Sequence, residues 1–147
     1  IVIYVPDHGE ECYEENRGFI CRNHSADIDW PLAHYEFEIP FWIYCSPKYI
    51  KTHRDIYRQI RKAKDKRYMT DALPHLLLYL AGIETPTYHE EYNILSPKYN
   101  EMRPRILKNS ADYDKLRDAH NAKIAKEKEA EEAKEKAQKK TKKKKKQ

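Results

Sequence analysis

The chain has 147 residues, 39% hydrophobic and 36% charged, with a formal net charge of +5, a length that suits one domain of ordinary size. Its charge is uneven: residues 1–114 carry 15 Lys/Arg against 18 Asp/Glu, and residues 115–147 carry 14 against 6. The basic balance therefore belongs to a tail, which argues against a nucleic-acid protein needing a basic face on its folded body. No apolar run approaches the 18 residues of a membrane span, and Cys12, Cys21 and Cys45 are too few and scattered for a disulfide scaffold or zinc ribbon.

The first element is the run Ile1-Val2-Ile3-Tyr4-Val5. A continuous β-branched run predicts a strand buried on both faces, as in a parallel sheet flanked by helices. Such a strand needs neighbours on both edges, so the chain reads as the C-terminal part of a larger α/β domain. From Pro6 to about Pro31 the sequence is polar and predicts a long loop, a kind of segment that is usually functional or disordered. A second strand, adjacent to the first in the sheet, is expected over residues 39–45, with Pro40 tolerable near its start. Ser46 and Pro47 then form a helix start signal. Tyr49, Ile50, His53, Ile56, Tyr57 and Ile60 recur at spacings of 3 and 4, predicting a helix near 47–64 with one buried face. Arg54, Arg58, Arg61, Lys62 and Lys64 fall elsewhere on it.

A further helix is predicted over 71–81, with Thr70 as its cap and Leu73, Leu76, Leu77 and Leu80 as its apolar stripe. Gly82 supplies a left-handed stop, and Pro74 falls in the first turn, where a missing N–H costs little. Residues 84–112 hold turn residues and tyrosines, with a short strand at Arg105-Ile106-Leu107. From about Asp112 to Gln138 Ala, Glu and Lys favour a helix that nothing requires to pack, and residues 142–146 are expected to be disordered.

Asp7-His8-Gly9 follows the carboxyl end of the first strand, where open α/β sheets place their ligands. A carboxylate beside an imidazole offers donors suited to Zn²⁺, and Gly9 permits the sharp turn that lets both face one point. An ordinary surface turn is the alternative. Glu10 and Glu11 are either supports of that loop or solvated acids. Cys12 and Cys21 could pair in an oxidising compartment, and Cys45 reads as a small buried hydrophobe.

The run Val2-Ile3-Tyr4-Val5-Pro6-Asp7-His8-Gly9-Glu10-Glu11-Cys12-Tyr13 resembles the strand and metal loop of phosphoethanolamine transferases, in the sulfatase and alkaline-phosphatase superfamily. The resemblance continues at residues 19–25, at residues 37–46 and from Leu73 to Tyr88, covering roughly residues 1–110 in four ordered blocks. It implies an α/β fold: the C-terminal part of an alkaline-phosphatase-like α/β/α sandwich over residues 1–112, followed by a charged Lys-rich tail, helical to disordered, over 113–147. It implies that Asp7 and His8 are zinc ligands and that His24 faces the phosphoryl group or a second metal. Asn23 stands where the family usually has Gly before that histidine, and His34 is a rival expected only to pack or meet solvent.

The activity implied is transfer of phosphoethanolamine from phosphatidylethanolamine to lipopolysaccharide, on lipid A or a core sugar. It proceeds through a covalent phospho-Thr whose Thr, with a further carboxylate ligand, lies upstream. Thr52, Thr70, Thr85, Thr87 and Thr141 match no nucleophile motif, so the chain alone is expected to be inactive. The implied location is the periplasmic face of the bacterial inner membrane, anchored through a region missing from this chain. Two other readings stand beside it. One is a sulfatase or phosphodiesterase hydrolase of the same superfamily; the other is a module whose basic tail binds an anionic surface.

Overall fold

The computed structural model describes residues 1–14, 18, 20–22 and 27–144. It is a mixed helix and sheet protein whose strands are few and short. The chain divides into two compact units, one of residues 1–9 and 38–105, the other of residues 10–37 and 106–147.

In the first unit, β1 (Val2–Tyr4) pairs with β4 (Trp42–Tyr44). The expected adjacency of these two segments is present, but the pairing is antiparallel, with Val2 opposite Tyr44 and Tyr4 opposite Trp42. Burial on both faces of β1 is not observed either. Ile3 and Ile43 point inward, whereas Val2, Tyr4, Trp42 and Tyr44 are exposed, and Tyr4 stacks on Trp42 at 5.2 Å. The reason is that a two-stranded antiparallel ribbon has one face on the core and leaves the other open. The β-branched run read as doubly buried is half-buried here.

Ser46 caps α2 (Pro47–Thr52) by accepting from the Tyr49 N–H at 3.2 Å, with Pro47 in the first turn. His53 leaves helical geometry and separates α2 from α3 (Arg54–Ala63), so the predicted single helix is two. Ala63, Leu76, Ile94 and Leu95 form the buried centre of this unit. Ile56 and Ile60 from α3 and Phe41 and Ile43 from the second strand's segment close around it. Thr70 does not cap α4 (Leu73–Ala81). It opens a 3-10 turn, Thr70–Ala72, whose own backbone bond carries the chain into the helix. Gly82 takes φ 65° at the end of α4 and donates its N–H to the last turn, the left-handed stop its sequence position predicts.

In the second unit the expected loop contains structure. β2 (Glu11–Cys12) and β3 (Ile20–Cys21) pair antiparallel, and α1 (Trp30–Phe37) is started by Asp29, whose carboxylate accepts the Leu32 N–H at 3.0 Å. β5 (Ile106–Leu107) pairs with β6 (Ala111–Asp112) and leads into α5 (Tyr113–Lys144). The start of α5 is not solvated as expected. Tyr113 is buried with Ala33 and Leu107, and Leu116, Trp30 and Phe37 pack on them. His120 stacks on Trp30 at 5.0 Å. From Asn121 to Lys136 every residue but Ile124 is exposed. The helix runs to Lys144.

Candidate functional site

The candidate site is the loop that leaves β1 through Val5 and Pro6. His8 Nδ1 donates to the Gly9 carbonyl at 2.8 Å, because a carbonyl can only accept. That bond fixes the tautomer: in the neutral ring the lone pair is on Nε2. His8 Nε2 lies 3.5 Å from Asp7 Oδ2. With the ring neutral, two acceptor atoms face each other, an arrangement that a shared cation satisfies, whether a proton on Nε2 or a metal ion. Two ligands of a tetrahedral zinc with bonds near 2.05 Å lie about 3.3 Å apart, so the pair fits that ion. Asp7 is 89% exposed and His8 26%, leaving the cation's remaining positions open to other donors. Among the described residues no third His, Cys, Asp or Glu completes a group of three.

His24, the other predicted site residue, lies outside the described residues. His34 belongs to α1, where it stacks on Trp30 at 5.5 Å. Cys12 is a free, exposed thiol. It stands opposite Ile20 and Cys21 opposite Glu11, so the two cysteines are not cross-strand partners. Cys45 is buried, and desolvation pushes its thiol up from the usual value, as befits an inert core cysteine.

Sequence reading missed a second group. His75 Nδ1, on α4, accepts the His89 backbone N–H at 3.1 Å. Both rings gather on Tyr92, at 5.1 and 6.0 Å. His89 Nδ1 is 3.7 Å from Glu91. His75 is separated from His89, Glu91 and Tyr92 by the rest of α4 and the turns after it, so nothing in their spacing announces the contact. The His75 acceptor ties α4 to the following turn, a structural role. Nearby, Arg67, Tyr68, Tyr99, Glu101, Arg103 and Arg105 line a solvent-open hollow with a cavity volume of about 10 Å³, room for about one water. That is below the range of about 300–1,000 Å³ usual for ligand pockets. Tyr68 stacks on Phe41 at 5.2 Å there, and burial pushes its phenol up.

Compared with protein-family models, curated proteins and solved structures, the chain gives no match.

Proposed function

We propose that this chain is the C-terminal part of the catalytic domain of a metal-dependent phosphoethanolamine transferase of the sulfatase type. The observation that carries the reading is the convergence of Asp7 Oδ2 and His8 Nε2, with His8 set in the ligating tautomer by Gly9. The ordered blocks of resemblance along residues 1–110 support it. So does the open face of Val2, Tyr4, Trp42 and Tyr44, an apolar ribbon surface of the kind that further layers of an α/β sandwich cover.

In this reading Asp7 and His8 hold zinc at the carboxyl end of β1, and His24 steers the phosphoryl group. Bound zinc would lower the pKa of an attacking hydroxyl and offset charge on the phosphoryl oxygens. Asp7 contributes negative charge to the site, and the Gly9 carbonyl holds the imidazole so that its lone pair stays aimed. The Thr that accepts phosphoethanolamine is supplied from outside this chain. The donor is phosphatidylethanolamine, the acceptor is lipopolysaccharide, and the setting is the periplasmic face of a bacterial inner membrane.

The test is made in the enzyme that contains this segment. His8→Ala and Asp7→Asn should each lower bound zinc and reduce phosphoethanolamine transfer from labelled phosphatidylethanolamine by more than about 100-fold. That exceeds the 10–100-fold typical of losing an orienting partner alone. Zinc content and turnover that survive His8→Ala overturn the reading. Release of free phosphoethanolamine, with no labelled lipopolysaccharide, assigns the chain to a hydrolase.

A further inference from the structure

The sequence places its positive charge in the tail, yet the folded body has a cationic region of its own. Residues 47–64 carry seven Lys/Arg against the single acid Asp55. The remainder of the first unit, residues 1–46 without 10–37 and residues 65–105, carries five against eight. On α3 this charge is ordered. Arg54, Arg58 and Arg61 recur at spacings of 4 and 3, with Lys62 beside them, and all four are exposed. Ile56, Ile60 and Ala63 repeat the same spacing two residues on, which at 3.6 residues per turn is the opposite side, and they pack into the core. The helix is thus pinned by its apolar side and presents a cationic one. Arg58 meets Asp55 at 3.3 Å; Arg54, Arg61 and Lys62 have no ion pair among the described residues. From Arg54 to Lys62 the stripe runs about 12 Å.

Because the apolar side is already buried, α3 cannot insert into a membrane. Its contact with any partner is peripheral and electrostatic. Tyr57, the aromatic residue beside the stripe, is half-buried, unlike the open stacking platforms of single-strand binders, and the rest of the unit is acidic, which disfavours a polyanion that wraps around the protein. A flat anionic surface meets the stripe alone. We propose that the outer face of α3 is a docking surface for an anionic phospholipid bilayer, which would hold the Asp7–His8 unit beside its lipid substrate. The proposal rests on the transferase reading for its purpose, although its measurement does not.

The test is co-sedimentation of the full chain with vesicles of phosphatidylcholine, alone or mixed with phosphatidylglycerol. Binding should require phosphatidylglycerol and vanish at about 0.5 M salt, where the screening length is a few ångströms. Each cation held at an anionic surface accounts for about fivefold in affinity, so Arg54→Gln with Arg61→Gln should weaken binding at least about tenfold. Asp55→Asn, which removes the only acid on the stripe, should tighten it, a gain that misfolding cannot mimic. Replacing Lys142 to Lys146 with Gln separates the tail: the loss caused by the two Arg substitutions should persist in that background. The proposal is overturned if those substitutions leave vesicle binding unchanged, or if short duplex DNA competes the chain off the vesicles through the same arginines. His8→Ala should leave vesicle binding intact, so failure of the zinc assignment and failure of docking are read separately.

Discussion

The chemistry of single residues is clearest at the Asp71–Arg103 pair. Arg103 holds the Asp71 carboxylate with both terminal nitrogens, at 2.6 and 2.7 Å, and its guanidinium lies 5.0 Å from the Tyr92 ring centre. The hydrogen bond and the charge of Arg103 hold the Asp71 carboxyl below its usual value, and Arg103 is raised in return. A carboxyl lowered on folding adds stability that is complete above the unfolded value near 3.9 and fades as pH falls through the folded one. Asp71 is 54% exposed on its side chain, so the contribution is about 0.5–1 kcal/mol. Asp71→Asn should therefore lower the melting temperature at neutral pH by roughly 2–4 °C. The difference from the parent should shrink on acidification below about pH 3.9. Thermal melts by circular dichroism across that window decide it; a pH-independent difference would place the effect in packing.

At the scale of elements, the helices were legible where their signals are local. Ser46-Pro47 and Gly82 act within one turn of the groups they satisfy, so α2, α3 and α4 could be read from the sequence, apart from the break at His53. The strands of the first unit and their adjacency were located, but their antiparallel direction and the face left open were not. A run such as Ile1-Val2-Ile3-Tyr4-Val5 does not alternate, so it carries no mark of which face is covered. α1 was missed although Asp29 caps it, because Leu32, Ala33 and Glu36 are the buried positions in its eight residues. Ala33 finds its cover from Leu107 and Tyr113, far away in sequence. The site divides in the same way: Asp7 and His8 are neighbours and could be read, whereas His75 and His89 meet only through the turn between them. The element-level test falls on α4. Leu76 is fully buried among Ala63, Ile94 and Leu95, so Leu76→Ala should cost about 2–5 kcal/mol. Leu77→Ala, on the exposed side of the same helix, should stay within about 0.5 kcal/mol. Denaturant melts of the two variants that agree with each other would mean that α4 buries a different face.

Over the whole molecule, α5 joins two regimes in one helix of 32 residues, about 48 Å long at 1.5 Å per residue. Its first two turns belong to a core: Tyr113 and Leu116 pack with Ala33 and Leu107, and His120 lies on Trp30. Beyond Ile124 the helix is held by propensity and by pairs such as Lys123–Glu127, Lys136–Glu132 and Lys139–Glu135. Each such pair contributes only about 0.2–0.5 kcal/mol, in a segment with no apolar stripe to offset ordering costs of roughly 1–2 kcal/mol per residue. Stability should therefore change abruptly with the point of truncation. Removing residues 125–147 should leave the melting temperature nearly unchanged, while lowering the helical signal in proportion to the residues lost. Removing residues 113–147 should expose Trp30 and Leu107 and destabilise the second unit by several kcal/mol, since two large apolar residues leave its core. Trp30 reports the difference directly, because its indole stacks on His120 and contacts Tyr113. Its emission should shift to longer wavelength only in the longer deletion. A shift already present on removing residues 125–147 would show that the outer part of α5 is packed and that the basic tail folds with its core.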